Sequence, residues 1–279
     1  MIKSAVSRTT PSERENLGSP DYDCIAMNND KKTECLRYDA HAKSLLAVGT
    51  SKVETALVPG SLAVPPVYRA PYSYYEQCIR QYICKEDDIL ELCSGTGLHT
   101  YALAQTGARV VASDISRHSL EVLSQRIGGV ATRVADIESL PFEASSFDAV
   151  AIAGSLSYGE PDLVDAEIRR VLRLGGIFIC VDSLSHNPIY RFNRWFHYRR
   201  GDRTKSTLLR MPTMDRIQSI SRGFKSAEVR YFGAVSYLMP VLAHIIGQSH
   251  AANVSDAVDR LVHVRRAAFK FVVVAHGRL

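Results

Sequence analysis

A buried strand that runs into a glycine turn and then into a helix constrains this chain more than any other feature. Residues 89–92 form a short apolar run, which is typical of a strand buried in a sheet. A turn of small residues with Gly95 and Gly97 follows, and residues 98–105 have helical character until Gly107 ends the pattern. Such a turn lets a backbone approach a ligand closely and points a helix N-terminus at it.

The glycine spacing separates two kinds of ligand. A dinucleotide fingerprint has the form G-x-G-x-x-G, but the third glycine position is occupied by Thr100 here. Glu91 lies inside the strand, where its carboxylate would repel a pyrophosphate and attract an ammonium group. The stretch therefore favours a cationic ligand and disfavours a nicotinamide dinucleotide.

The stretch Glu91-x-Cys93-x-Gly95-x-Gly97 resembles motif I of the class I S-adenosylmethionine (SAM) methyltransferases of the small-molecule type. That motif is written E/D-x-G-x-G-x-G, so Cys93 stands in the first glycine position and leaves the turn slightly less permissive. The resemblance implies that SAM is the cofactor and S-adenosylhomocysteine the product. It also implies that Gly95 and Gly97 present their backbone to the methionine moiety, while Glu91 stabilises the turn or meets the ammonium group.

Regular alternation of strand and helix patterns predicts an α/β fold. Alternation of this kind implies parallel strands, right-handed crossovers and helices on both faces of the sheet. The resemblance covers residues 70–279 and implies a doubly wound, mostly parallel seven-stranded sheet whose seventh strand lies antiparallel beside the sixth. The predicted strands are 89–92, 108–113, 130–135, 147–153, 177–181, 227–232 and 267–275, and the predicted helices are 34–46, 74–84, 98–105, 116–127, 162–174 and 255–264.

The same patterns divide the chain into three parts. Residues 1–30 are polar with little apolar periodicity, which indicates a disordered or loosely attached segment. Residues 31–84 are expected to form a helical cap over the active site. Residues 85–279 are expected to form the SAM-binding domain, with a lid insert at about 184–222.

Two acidic residues end the second and third predicted strands, and the resemblance assigns both to the cofactor. Asp114 would accept two hydrogen bonds from the ribose diol, and Ile115 would pack on the adenine. Asp136 would meet the exocyclic amine of the adenine, and Ile137 would line the ring. From the residues alone, Asp114 could instead cap a helix and Asp136 could be a solvated turn residue. The further residues expected at the cofactor are Gly154 and Tyr75.

The methyl acceptor is expected at residues 153–158, which follow the fourth strand. This segment has neither the Asn/Asp-Pro-Pro-Tyr signature of enzymes that methylate base or glutamine nitrogens nor a Pro-Cys nucleophile. Methyl transfer needs an aligned nucleophile, plus a base where the acceptor is a hydroxyl, and the candidate bases are His186 and Tyr158. From the residues alone, the histidine could be structural and the tyrosines could belong to the core. The residues expected to bind the acceptor are Tyr72, Ser155, Arg191, Arg194 and Trp195.

Residues 186–216 concentrate the positive charge of the chain. They hold eight basic and two acidic residues, an excess greater than the net charge of +5 of all 279 residues. Aromatic residues alternate with arginines in residues 186–200, and the single tryptophan is among them. Three interpretations stay open: recognition of an anionic acceptor by arginine, an interfacial helix on an anionic membrane, or an ordinary amphipathic helix with its apolar face in the core.

The cysteines and the hydropathy pattern argue against disulfides, zinc and a membrane span. The six cysteines show no C-x-x-C spacing, so no metal is expected and a reducing cytoplasm is the expected location. The longest apolar tract, residues 233–247, is interrupted by His244 and is too short to cross a bilayer. The polar N-terminus has no signal-peptide pattern.

The sequence therefore predicts a SAM-dependent methyltransferase that acts on a small biosynthetic acceptor, such as a sugar or another secondary metabolite, with O-methylation ahead of N-methylation. The acceptor could be anionic, no nucleic-acid partner is clearly indicated, and a homodimer is left open. Two rival functions remain. A nucleic-acid or protein methyltransferase would explain the basic insert through phosphate contacts. A non-catalytic SAM-binding partner protein would bind the cofactor without turnover.

Overall fold

The structure, a computed structural model, describes residues 27–47, 59–200, 204–235, 239–261 and 265–279. A disordered or loosely attached segment is expected at residues 1–30. Its residues 1–26 lie outside the described residues, and the first helix begins at Asn29, within this segment. The strands are β1 Asp88–Leu92, β2 Arg109–Asp114, β3 Ala131–Val134, β4 Phe147–Ala153, β5 Leu172–Ser183, β6 Phe224–Phe232 and β7 Lys270–Arg278.

Ten α-helices lie in the described part of the chain. They are α1 Asn29–Ala47, α2 Ala70–Tyr82, α3 Thr100–Ala104, α4 Arg117–Arg126, α5 Pro161–Val171, α6 Pro188–Arg199, α7 Lys205–Leu209, α8 Met214–Arg222, α9 Met239–Ile246 and α10 Gln248–Leu261. Short 3₁₀ turns occupy Gly60–Ala63, Pro66–Tyr68, Leu156–Tyr158 and Arg265–Ala267. Among the residues described, no helix is both long enough and apolar enough to cross a membrane.

The seven strands form one sheet in the order β3-β2-β1-β4-β5-β7-β6. The first five strands pair in parallel, while β7 pairs antiparallel with both β5 and β6. The predicted doubly wound, mostly parallel sheet with an antiparallel seventh strand is therefore confirmed. The strand order reverses between β1 and β4, so a ligand crevice is expected at the carboxyl ends of these strands.

Apolar side chains on alternate positions of the strands pack against helices on both faces of the sheet. Leu90 and Leu92 of β1 join a cluster with Ile168 of α5 and Ile217 of α8. Their neighbour Ile89 points to the opposite face, because side chains alternate along a strand, and it joins a second cluster with residues of α2 and α3. β1 is thus buried on both faces, which fixes the motif turn that follows it.

The structure differs from the sequence prediction at the junction of α5 and β5. The glycine pair 175–176 was expected to end a helix at 162–174, but the helix ends at Val171 and the strand begins at Leu172. Leu172 is fully buried and pairs with Phe147 of β4, and the register then shifts before Ala149. The glycines accommodate this irregular start of the strand, with Gly175 at a φ of +82°.

Candidate functional site

Glu91 is buried in β1 on the face covered by α2 and α3. Its Oε2 accepts a hydrogen bond of 2.5 Å from the hydroxyl of Thr100, the first residue of α3. Burial raises the pKa of Glu91 to about 8, and the nearby charge of Asp114 also raises it, although the Thr100 bond opposes the shift. The carboxyl group therefore holds the start of α3 against β1, as the turn-stabilising interpretation predicts.

The motif turn takes up left-handed backbone conformations at three alternate positions. Cys93, Gly95 and Gly97 have φ values of 53°, 55° and 89°. A Cβ at Gly97 would lie about 3.0 Å from Leu123 of α4, so this glycine permits close packing of turn and helix. A Cβ at Gly95 would meet nothing within 4 Å. The backbone at Gly95 is therefore open on the side where a ligand would approach.

Asp114 links the motif turn to the start of α4. Its Oδ2 accepts from the backbone N–H of Gly95 at 2.9 Å, and its Oδ1 accepts from the backbone N–H of Ser116 at 2.8 Å. Burial raises the pKa of this carboxyl group, while the two backbone bonds oppose the shift. Recognition of a ribose diol would use the acceptor positions of these oxygens that the backbone bonds leave. The N-cap of α4 is Ser116, whose Oγ accepts from the N–H of Ser119.

Asp136 forms an ion pair with a residue that the sequence interpretation did not select. Lys31 of α1 places its Nζ 2.5 Å from Asp136 Oδ2 and 2.6 Å from Glu138 Oε2. Burial lowers the pKa of Lys31, but the two carboxylates outweigh it and raise the pKa above its ordinary value. Ile137, between the two carboxylates, is buried and packs toward Gly159. Asp136 is therefore neither a freely solvated turn residue nor unpaired.

Helix α1 lies over this edge of the sheet. Besides the Lys31 ion pair, Cys35 donates its thiol to the carbonyl of Ile115 at 3.7 Å, and Asp39 accepts from Ser116 Oγ at 2.5 Å. Tyr38 shares a hydrogen bond with Tyr158. The helix thus contacts the segments that follow β2, β3 and β4. Each partner is 77 to 120 residues away along the chain, and no local pattern announces such contacts.

The segment after β4 turns sharply at the same edge. Gly154 is exposed with a φ of +72° and has open space beside it. Ser155 is buried, and its Oγ donates to the carbonyl of Ala153 at 3.2 Å. Ser155 and Tyr158 delimit the 3₁₀ turn Leu156–Tyr158. The structure therefore gathers these three predicted residues at one place next to the motif turn.

Three buried polar atoms around the motif turn have no hydrogen-bond partner in the part of the chain that the structure describes. They are the hydroxyl of Tyr75, the Oγ of Ser94 and the Nδ1 of His99. Burial lowers the pKa of His99 to about 4, with a further contribution from the charge of Lys270, so its imidazole is neutral. Buried polar groups are nearly always satisfied in native proteins. Together with the open Gly95, they fit a turn that receives a polar ligand.

A polar cluster connects the motif turn to α6; it contains Tyr72, which is predicted to bind the acceptor, and other residues that the sequence interpretation missed. The ring of Tyr72 stacks on His99 with centroids 5.1 Å apart, and the ammonium of Lys270 lies 4.9 Å from the Tyr72 centroid. Lys270 Nζ also donates to Ser183 Oγ at 3.2 Å, and the hydroxyl of Tyr190 donates to the same oxygen at 2.8 Å. Lys270 begins β7 and Ser183 ends β5, so the antiparallel seventh strand brings this lysine to the carboxyl edge.

The remaining predicted residues lie farther along the insert. His186 is exposed, and its Nε2 accepts from the backbone N–H of Met214 at the start of α8. Arg191 is exposed on α6, and Arg194 lies over the ring of Tyr190. Trp195 stacks on Phe192 with 45% of its surface exposed. In the described part of the chain, no hydrogen bond, ion pair or ring contact joins any of these four residues to the motif turn, whereas Tyr190 joins the Lys270 cluster.

Metal ligands are not assembled in the described residues, where no group of three or more His, Cys, Asp or Glu side chains could hold an ion. Cys78, Cys93 and Cys180 form no disulfide with any described residue. Burial raises the pKa of the Cys93 thiol well above its ordinary value, as do Asp114 and Asp136. The thiol in the motif turn is therefore protonated, and it behaves as a small apolar side chain.

Comparison with known sequences finds similarity to methyltransferases in the central third of the chain. Residues 90–180 match the family model described as "Methyltransferase domain". The chain is 44% identical over 108 residues to a demethylmenaquinone methyltransferase of Clavibacter sepedonicus, which covers 37% of this chain and 44% of the relative. It is 39% identical over 102 residues to the ubiquinone/menaquinone biosynthesis C-methyltransferase UbiE of Acidiphilium cryptum, covering 34% and 41%. The chain thus spans less than half the length of these relatives.

Comparison with solved structures extends the likeness to about three quarters of the chain. Phosphoethanolamine N-methyltransferase 2 of Haemonchus contortus, in complex with SAM, aligns with a TM-score of 0.53 at 16% identity over 74% of this chain and 52% of its own. Geranyl diphosphate C-methyltransferase of Streptomyces coelicolor aligns with a TM-score of 0.52 at 14% identity over 74% and 79%. At this identity the likeness concerns the fold. The domain match and the fold together confirm the resemblance found in the motif: this chain carries a methyltransferase domain of the class I, SAM-dependent type.

Proposed function

We propose that this protein transfers the methyl group of SAM to a small biosynthetic acceptor. The observation that carries the proposal is the motif turn, where the open backbone of Gly95 lies between a buried Glu91 and the carboxylate of Asp114, which accepts from the N–H of Gly95 itself. A ligand that brings polar groups to the open turn at one end and a ribose diol to Asp114 at the other matches this order of groups. SAM has both.

The cofactor contacts follow from that match. Gly95 and Gly97 would present backbone to the methionine moiety with Cys93 beside them. Glu91, whose raised pKa keeps it protonated at neutral pH, would hold the turn through Thr100. Asp114 would bind the ribose, with Ile115 and Ile137 against the adenine. The orphaned hydroxyl of Tyr75 and the Oγ of Ser94 supply further polar groups at the motif turn. Asp136 would reach the adenine amine only by sharing its oxygens with Lys31. Helix α1 would then cover the bound cofactor, in keeping with the cap expected at residues 31–84.

For the acceptor we propose a hydroxylated aromatic ring of the quinol class. The names of the two sequence relatives support this class over the sugar expected from sequence, and they favour carbon over oxygen as the methylated atom. A hydroquinone carbon beside an ionised hydroxyl is nucleophilic enough to attack an aligned sulfonium methyl group, so positioning supplies most of the catalysis. The acceptor would enter beside Gly154, Ser155 and Tyr158, between α1 and the insert.

Methyl transfer from labelled SAM to a naphthohydroquinone, the reduced form of a naphthoquinone, tests the proposed activity. We expect labelled product, and S-adenosylhomocysteine in equal amount, with the wild-type protein and with Asp162→Ala, a change on the exposed start of α5. Asp114→Ala should lose most of the rate at subsaturating SAM, because it removes the proposed ribose carboxylate. S-adenosylhomocysteine binding without product from any quinol or phenol would contradict the acceptor class. If the protein binds neither S-adenosylhomocysteine nor an acceptor of this class, the proposed function itself is contradicted.

A further inference from the structure

Lys270 is a charged group buried among hydroxyls and aromatic rings. Its residue surface is 7% exposed, and its ammonium contacts Ser183 Oγ and the faces of Tyr72 and Phe269. Burial lowers the pKa of Lys270, but Tyr72, Tyr190 and Asp182 outweigh it and raise the pKa, so the side chain is cationic. A buried ammonium normally has a paired anion, since removing it from water is costly.

No carboxylate in the described part of the chain lies within salt-bridge distance of Lys270. Asp182, whose charge raises the pKa of Lys270, uses one oxygen to accept from the N–H of Leu156 at 2.8 Å and the other to accept from the N–H of Ser183 at 2.5 Å. Asp182 therefore compensates the charge from a distance and leaves the direct hydrogen-bonding positions of the ammonium to neutral hydroxyls. These hydroxyls can rotate to accommodate a new anion.

The position of Lys270 relates it to the proposed acceptor. The stacked pair of Tyr72 and His99 joins the ammonium to the motif turn, and Ser183 ends the strand next to β4. His99 is neutral, so it neither competes with nor repels an anion beside Lys270. We propose that Lys270, with Ser183 and the aromatic wall of Tyr72, binds an anionic oxygen of the methyl acceptor. This inference rests on the proposed function and specifies its substrate as a phenolate or enolate rather than a neutral ring.

Lawsone, a hydroxynaphthoquinone that is an anion at neutral pH, and its neutral methyl ether test this site in the presence of S-adenosylhomocysteine. We expect wild-type protein to bind lawsone at least about tenfold more tightly than the ether, because one hydrogen bond to a charged group raises affinity by about that factor. Lys270→Met should abolish the preference, and Lys270→Arg should retain part of it. Lys225→Met, on the exposed side of β6, is the matched control.

Equal affinity of wild-type protein for the two compounds would overturn the inference. This comparison uses the wild-type protein alone, so it does not depend on whether a variant folds. A lawsone preference that survives in folded Lys270→Met would overturn it as well. Failure of S-adenosylhomocysteine to bind would instead contradict the proposed function, so the two failures are distinguishable.

Helix α6 carries an independent signal, because its aromatic face points outward. Phe192, Trp195 and Phe196 are 65%, 45% and 46% exposed, and with Arg199 they recur at helical spacing on one side. Tyr190 on the other side contacts Ser183 and Phe269. The ordinary amphipathic arrangement, with aromatic rings inside and arginines outside, is therefore not what the helix adopts.

Arginines accompany the exposed rings. Arg199 lies over Trp195 at 5.8 Å and Arg200 over Phe196 at 5.6 Å, and Arg191 adds a further exposed charge. Aromatic rings among cationic side chains are the composition of helices that lie in the headgroup region of anionic bilayers. From this charge complementarity we infer that α6 docks the protein on an anionic lipid surface.

Trp195 is the single tryptophan of the chain, so its fluorescence reports on α6 directly. We expect its emission to shift to the blue with phosphatidylglycerol vesicles, and at least about tenfold more lipid to be needed with phosphatidylcholine vesicles. Replacing Arg199 and Arg200 by Gln should weaken the response, while Arg222→Gln on α8 should not. Unchanged emission with both lipids, equal responses to both, or a shift given by an oligonucleotide and not by vesicles would overturn the inference.

Discussion

Cys93 is the residue at which the motif turn departs from its glycine pattern, and the structure shows the consequence. Its φ of 53° lies in the left-handed region, where a side chain is strained. Cys93→Gly and Cys93→Ala both remove the thiol, but only glycine adopts this conformation freely. We therefore expect the Gly variant to exceed the Ala variant in free energy of unfolding by about 1 kcal/mol, measured by urea denaturation. An Ala variant as stable as the Gly variant would show that the turn carries no strain.

Glu91 should make stability depend on pH in a direction opposite to that of a salt-bridged carboxylate. Its pKa is raised to about 8, so between its ordinary value of 4.5 and 8 the folded state binds more protons than the unfolded state. The free energy of unfolding must therefore fall as pH rises through this window. Glu91→Gln keeps an acceptor for Thr100 and removes the titration.

We expect wild-type protein to lose on the order of 4 kcal/mol relative to Glu91→Gln between pH 5 and pH 8.5, measured by urea denaturation at each pH. Parallel pH profiles of the two proteins would mean that Glu91 does not titrate in this range.

At the scale of elements, α1 is anchored to the sheet edge by a small number of polar contacts. The Lys31 ion pair with Asp136 and Glu138 is mostly buried, with side-chain exposures of 10%, 19% and 13%. Lys31→Met should leave both carboxylates unpaired and loosen the helix without unfolding the core. We expect amide hydrogen exchange in Asn29–Ala47 to accelerate at least about tenfold while β1 stays protected.

Lys32→Met is the matched control for this change, because Lys32 is the exposed neighbour of Lys31 on the same helix. Exchange in α1 that is the same in the two variants would show that the ion pair does not hold the helix. Slower exchange in α1 when S-adenosylhomocysteine is added would follow if the cofactor lies beneath this helix.

At the scale of the whole molecule, the strands and their order could be predicted because each apolar run is local and the alternation of strands and helices restricts the topology. Phe147–Ala153 matches the predicted strand at both ends. The start of β5 could not be predicted, since a glycine pair after a helical pattern reads as a helix end, and only pairing with Phe147 places Leu172 in the strand.

The residues proposed for the cofactor could be selected from the sequence for the same reason, because Glu91 and Asp114 lie near the ends of β1 and β2 and Gly95 follows β1. Lys31 and Lys270 were not. Lys31 reaches its partners across 105 and 107 residues, and Lys270 arrives beside Ser183 only because β7 runs antiparallel. A lysine that begins an apolar strand carries no local sign of burial, so tertiary structure alone reveals it.

Calorimetric titration with S-adenosylhomocysteine, with NADH as a parallel control, tests directly whether the motif turn binds SAM. We predict binding of S-adenosylhomocysteine alone, weakened by about 1–3 kcal/mol in Asp114→Ala through loss of charged hydrogen bonds to the ribose, and unchanged in Asp162→Ala. Unchanged affinity in Asp114→Ala would show that this carboxylate does not bind the ribose. Binding of NADH in place of S-adenosylhomocysteine would show that the motif turn binds a dinucleotide and not SAM.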